Sequence, residues 1–218
     1  MTARKKAPIA PLTRERIVTT ALAIVDAEGE KALSMRRLGT ELGVDPMAVY
    51  HYVPNKNALL DAIVEAVMSE IDLGVDDPLA STEERVLCAA RAYRDAMLAH
   101  ANALPIVLSR GPRTPAAMRP VELLIGILRD AGLPPNQAMA GMNAIAATVR
   151  GTVAMVADES GDQPNAEDLE ALAETFPAEE FPYLREAAMC GADFLGVDFD
   201  FGVRALARGL LGSVTNSG

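Results

Sequence analysis

The chain of 218 residues is half hydrophobic, has no tryptophan and only 4% aromatic residues, and carries a net charge of −10. That length supports one or two small domains with real cores, and the predominance of Ala, Leu, Val and Met favours helices over strands. Two cysteines, Cys88 and Cys190, are too few for a disulfide framework, and no apolar run reaches the roughly 18 residues of a membrane span, so a protein of the reduced cytoplasm with no membrane partner is expected.

The charge is unevenly placed. Residues 1–57 hold nine Lys/Arg and six Asp/Glu, a net of +3, while residues 58–218 hold 11 and 24, a net of −13. A basic segment joined to an acidic body admits DNA at one surface and repels it elsewhere. Residues 1–10 include Arg4, Lys5 and Lys6 without the apolar core of a signal peptide, so no leader is expected. They read as a flexible basic arm that either tracks phosphates or serves as a solubilising tail.

Thr13 is placed to cap a first helix, with Leu12 and Ile17 at the spacing of a hydrophobic staple. Ile17, Ala21, Ile24 and Val25 form one apolar stripe, and Gly29 ends it. Residues 33–56 then read as two short helices and a tight turn. Ser34 caps the first, Leu38 and Leu42 share its inner face, and Gly43 stands where a left-handed residue closes a helix. Asp45 caps the second, and Pro46 occupies its first position. Pro54 disfavours helix at Val53, so the second helix is short. Such a hairpin has the form of a helix-turn-helix, whose second helix enters the major groove. Val49 points inward by staple spacing, which leaves Met47, Ala48, His51 and Tyr52 outside, flanked by Arg36, Arg37 and Lys56 as partners for phosphates.

Asn55 restarts a helix expected over 55–73. Its apolar face, including Leu59, Ile63, Val67, Met68 and Ile71, is wider than a three-helix head requires, so this helix is expected to join the head to the rest. Ser81, Thr82, Glu83 and Glu84 fit a capping box for a helix to about His100. Residues 104–109 are a short apolar segment, and a helix is expected over 115–131. The segment 135–158 carries Ala138, Gly141, Ala144, Ala147, Thr148, Gly151, Thr152 and Ala154 at helical spacings that admit a close helical neighbour. Residues 159–163 read as a loop, 165–175 as a short acidic helix, the next piece as broken by Pro177 and Pro182, 191–197 as glycine-containing and mobile, and 199–211 as a closing helix.

The stretch LGVDPMAVYHYVPNKNALLDAIV, with its Leu-Gly-Val turn, short tyrosine-containing helix and Lys opening the next helix, resembles the N-terminal domain of the TetR family of transcriptional regulators over about 11–73. FDFGVRALARGLLG, 199–212, is similar to the last helix of the tetracycline-repressor subgroup. The resemblance implies an all-α fold: a three-helix helix-turn-helix head at 11–71 and a larger helical ligand-binding and dimerisation domain at 78–214. It implies a homodimer built on the eighth and last helices, and backbone contacts to DNA from Tyr50 and Lys56. It also marks differences. Tetracycline repressors present glutamine, threonine and tryptophan where this chain has Pro46, Ala48 and His51. They hold a magnesium–drug chelate with histidines, and the corresponding position near the end of the fourth helix here is Asp72.

The candidate DNA-contacting set is therefore Ser34, Arg36, Arg37, Met47, Ala48, Tyr50, His51, Tyr52 and Lys56, acting on a palindromic double-stranded operator. The candidate ligand set in the body is Met68, Tyr93, Met97, His100, Leu124, Met142 and Met155, whose apolar, methionine-rich character fits a small hydrophobic effector. No CxxC, HExxH, phosphate-binding glycine loop or GxSxG pattern occurs, so no cofactor, metal or catalytic residue is expected. A repressor released by its effector is the leading reading. Beside it stand a ligand-independent dimeric DNA-binding protein and a small helical enzyme or carrier using Cys190 or His100.

Overall fold

The computed structural model describes residues 11–157, 171, 175–189 and 198–215. Among them are ten α-helices and no strand. The expected arm at 1–10, loop at 159–163, most of the acidic helix at 165–175, Cys190 and 191–197 lie outside the described residues.

The head consists of α1 (Arg14–Glu28), α2 (Met35–Leu42) and α3 (Pro46–Tyr50), resting on the start of α4 (Lys56–Ser69). Thr13 and Ser34 cap as the sequence offers, and Asn55, where a helix is expected to restart, caps α4. The Thr13, Ser34 and Asn55 side chains accept from the N–H groups of Arg16, Arg37 and Ala58. Each satisfies a donor the helix itself leaves orphaned, a contribution of about 1 kcal/mol. Ile17, Leu38, Leu59 and Ile63 are fully buried between these helices, and burial of one such side chain contributes about 1.5–3 kcal/mol.

α4 ends at Ser69 rather than at 73. Asp72 accepts from the Gly74 N–H at 2.8 Å and so turns Leu73–Val75 into a short 3-10 segment. Before that turn α4 packs on α1, and along its length it meets the body helices α5 (Thr82–Ala99), α6 (Leu104–Arg110) and α7 (Pro115–Asp130). The apolar segment at 104–109 is thus helical, started by Pro105 in its first turn. Its last residue, Arg110, donates to Asp61 Oδ1 at 2.7 Å and to the Asn57 carbonyl at 3.2 Å. Two atoms of α6 are thereby tied to the head end of α4, and the Arg110 guanidinium holds the Asp61 carboxyl below its ordinary range.

α8 (Pro135–Val156) lies against α5 and α7, α9 (Pro182–Met189) opens at Pro182 instead of being broken by it, and α10 (Phe199–Thr215) closes the body on α5 and α8. Ser81 accepts from the Glu84 N–H at 3.2 Å, but the reciprocal half of the capping box is absent. The Glu84 carboxylate instead takes Arg204 at 2.8 Å, and Glu83 takes Arg204 at 3.0 Å and Arg208 at 2.7 Å. Hydrogen bonds from Arg208 and then Arg204 hold the Glu83 carboxyl below its ordinary range. Arg91 pairs with Asp200, and the Arg94 guanidinium stands 4.6 Å from the Phe199 ring centroid. Long-range pairs thus fasten α10 to α5.

The small residues of α8 divide between two faces. Ala138, Gly141 and Thr152 are buried. A Cβ at Gly141 would stand 3.0 Å from a Leu210 methyl and 3.2 Å from one of Leu128. Ala140, Ala147, Gly151 and Ala154 are exposed, Ala144 is half-buried, and a Cβ at Gly151 would meet nothing within 4 Å. The outer side of α10 continues this face with Phe201, 71% exposed, Ala205 and Gly209. By length and composition alone α8 is apolar enough to cross a membrane, which corrects the expectation that no segment is. Its apolarity has two uses in the fold: an inner face for α5, α7 and α10, and an outer one left bare on the single chain.

Candidate nucleic-acid interface and apolar cavity

The geometry of the head is set at the turn between α2 and α3. Gly43 closes α2 at φ 69° and ψ 29°, a conformation that costs only glycine little. The Val44 N–H reaches back to the Gly39 carbonyl at 2.9 Å. Asp45 caps α3 by accepting from the Met47 N–H at 2.8 Å, with Pro46 in the first turn. The turn folds so closely that a Cβ at Gly39 would lie 3.1 Å from Pro46 Cγ, Pro46 N and the Val44 carbonyl oxygen. Gly39 is not among the residues singled out from the sequence. The signal that marks it is a glycine inside an eight-residue helix, where alanine is otherwise preferred.

Val49 is fully buried and pins α3 to the head. Met47, Tyr50, His51 and Tyr52 are exposed around it, and Ala48 is half-buried. Met47 is 66% exposed. Ser34 is exposed but spends its hydroxyl on the cap. Arg36 and Lys56 are exposed, and among the described residues neither meets a carboxylate within 4 Å. Arg37, expected to face phosphates, instead spans Glu28 at 3.0 Å and Glu41 at 2.9 Å. The result is a short ridge of apolar and aromatic side chains with one cation at the start of α2 and another at the start of α4, a shape suited to a groove bordered by phosphates.

In the body, a cavity of about 320 Å³ lies between the end of α4 and helices α5, α7 and α8. Met68, Tyr93, Leu124 and Met142, all in the expected ligand set, line it. Met97, His100 and Met155 do not. Met97 is buried in the core, and Met155 is 43% exposed near the end of α8. His100 sits at the seam between head and body, held by Asp26 and Glu70. The wall also includes Ile71, Asp72, Met118, Met139, Asn143, Ala146 and Arg150, none of them in the expected set. Arg150 carries a signal in the sequence all the same: it is the single charged residue of α8. Burial pushes the Tyr93 phenol up, and the neighbouring Arg150 guanidinium only partly offsets this. Tyr93 therefore presents a neutral O–H at ordinary pH.

The family model for bacterial regulatory proteins of the tetR family matches residues 17–63, and that for the tetracyclin repressor-like C-terminal domain matches 76–212. The chain belongs to the TetR family. It is a DNA-binding transcriptional regulator, and α2, the turn and α3 fall within the matched N-terminal segment. Among TetR relatives, the chain is 30% identical to the HTH-type transcriptional repressor DrrR1 of Streptomyces coeruleorubidus over 94% of this chain and 79% of that protein. It is 32% identical to the class C tetracycline repressor protein of Escherichia coli over 77% of each. The fold matches apo ActR of Streptomyces coelicolor with a TM-score of 0.83 at 32% identity, covering 96% of this chain and 99% of that one. ActR in complex with actinorhodin matches with a TM-score of 0.82 at the same identity, over 96% and 100%.

Proposed function

We propose that the protein is a homodimeric repressor of a palindromic operator, released when a small, largely hydrophobic organic molecule occupies the cavity. The observation that carries this reading is the double role of α4. Its first residue, Lys56, stands at the DNA face, and the segment at its far end lines the cavity through Met68, Ile71, Asp72 and Leu73. A ligand that favours one position of that end over another shifts the spacing of the two heads in a dimer, and its differential affinity for the two spacings sets how far. The Arg110 ties to Asp61 and Asn57 give α6 the same leverage on α4.

The likeness to ActR, solved with actinorhodin, makes actinorhodin a molecule to test. A magnesium–drug chelate of the tetracycline kind does not fit these residues. Among the described residues no histidine lines the cavity, and its one carboxylate, Asp72, already gives one oxygen to the Gly74 N–H. The reading assigns no catalytic role and places the protein in the cytoplasm with its DNA.

A mobility-shift experiment on the DNA upstream of its own coding region, with actinorhodin and with organic extracts added, tests the proposal. Retardation relieved by one of these additions is expected. Absence of retardation on that DNA and on duplexes selected from a random pool overturns the DNA reading. Retardation that no addition relieves favours a ligand-independent dimer.

A further inference from the structure

We infer that the molecule taken by the cavity carries an anionic group, and that Arg150 binds that group with the Tyr93 hydroxyl as second donor. The inference rests on the effector reading above and narrows its chemical class to apolar organic acids. Among the described residues, Arg150 is the only cationic side chain in a lining made otherwise of methionine, aliphatic and alanine side chains with Tyr93, Asn143 and Asp72. Elsewhere in the body several arginines meet acids, Arg85 with Asp76, Arg91 with Asp200, Arg110 with Asp61 and Arg204 with Glu83, while Arg113 and Arg129 donate to the Arg110 and Leu133 carbonyls. No such partner lies within 4 Å of Arg150 among the described residues. The one acid in the lining, Asp72, gives Oδ1 to the Gly74 N–H of its own turn and forms no ion pair with Arg150 within 4 Å.

A guanidinium at an apolar wall has lost part of its water and gains from a carboxylate, sulfonate or enolate oxygen, which accepts two of its parallel N–H donors. The effect is larger there than in bulk water because the local dielectric is low. Tyr93 adds a directional O–H from a phenol that is neutral at ordinary pH, and burial acts in the same direction. The exposed methionines at the rim, Met118 and Met139, adapt to varied apolar skeletons. Arg150 then fixes orientation, and the rest of the wall accepts shape.

The test uses two fluorescent probes with one ring skeleton, anilinonaphthalene sulfonate and the uncharged phenylnaphthylamine, titrated into the full chain. The sulfonate is expected to bind about tenfold more tightly than the neutral amine, and Arg150→Met to abolish that preference while leaving neutral-probe binding within about twofold. Arg150→Lys is expected to keep part of the preference, and Ala146→Phe, which fills the cavity, to weaken both probes. Equal binding of the two probes by the wild type, or a preference that survives Arg150→Met, overturns the inference while leaving the cavity as a ligand site. Failure of both probes to bind, or binding indifferent to Ala146→Phe, removes the cavity reading itself and the inference with it.

Discussion

His100 Nδ1 lies 2.9 Å from Asp26 Oδ2, so the end of α5 in the body grips the end of α1 in the DNA-binding head. The other ring nitrogen is 2.8 Å from Glu70 Oε2, just past α4, and Asn102 donates to the Asp26 carbonyl at 2.7 Å. Burial works against the charged imidazole, but the hydrogen bonds and charges of Glu70 and Asp26 outweigh it, and the His100 pKa is raised. Both ring nitrogens face carboxylates, which calls for two N–H donors and hence the protonated ring.

The stability this contributes is fully present below the unfolded histidine value, about 6.5, and is lost as pH rises through the higher folded value. Urea midpoints measured from about pH 6 to about pH 9 should therefore fall for the wild type over the upper part of that range. His100→Gln should be less stable at the acid end by about 1 kcal/mol, a figure kept low because Glu70 is half exposed. The two proteins should converge at the alkaline end, and a constant difference across the range would show that protonation of His100 is not involved.

Gly39→Ala should loosen the turn that aims α3. The new methyl meets backbone atoms of Val44 and Pro46 at 3.1 Å, and these move only with the turn itself. A loss of about 1–3 kcal/mol in thermal stability is expected, with weaker operator binding. Gly126→Ala provides the contrast. It sits inside α7 with nothing within 4 Å of the added carbon, so it should stabilise by about 0.5–1 kcal/mol through helix propensity alone. If both glycines respond alike, crowding at the turn is not what Gly39 relieves.

The contrast between local and distant features explains what the sequence disclosed. The caps Thr13, Ser34, Asp45 and Ser81, the helix restart at Asn55, the glycine at 43 and the inward Val49 are settled within one or two turns of chain, and the structure has each in place. Glu84 shows where such reading stops: its local partner, the Ser81 N–H, loses to Arg204, 120 residues away. Tyr93 and Met97 stand one helical turn apart on α5 and are both in the expected ligand set, but only the packing of α7 and α8 decides that Tyr93 lines the cavity and Met97 the core. The partners of His100 lie 74 and 30 residues off, beyond the reach of any spacing rule.

Lys56→Ala should weaken binding to all duplexes alike. Lys56 is exposed at the first position of α4, and the expected contact is with a phosphate rather than a base edge. The slope of log affinity against log salt should become shallower by about one unit for each phosphate that a subunit no longer neutralises, or about two for a dimer. Fluorescence anisotropy over a salt series measures it. An unchanged slope would place Lys56 away from the backbone.

Gly151→Glu should separate the dimer while leaving the subunit folded. The position is open within the chain and central to the bare small-residue face of α8, where burying an unpaired carboxylate against a second copy is costly. Sedimentation at micromolar concentration should show a wild-type dimer and a variant monomer with an unchanged helical spectrum. A wild-type monomer, or a variant dimer, would assign that face to something else.

Arg36→Ala and His51→Ala should each relax sequence preference at one base position per half-site. Met47 and Ala48 offer only apolar contact, matched to thymine methyl groups, and Pro46 cannot hydrogen-bond an adenine edge as a glutamine does. Sequence reading at donor or acceptor edges then falls to His51, with one hydrogen bond, and to Arg36, which is exposed and meets no carboxylate among the described residues. If Arg36 takes guanine through two bonds, its removal should cost about 1–3 kcal/mol on the preferred site and much less on others. Selection from random duplexes by the three proteins reads this directly. A palindrome with half-sites about one helical turn or somewhat more apart should emerge for the wild type. The same motif with undiminished preference from both variants would show that neither residue reads sequence.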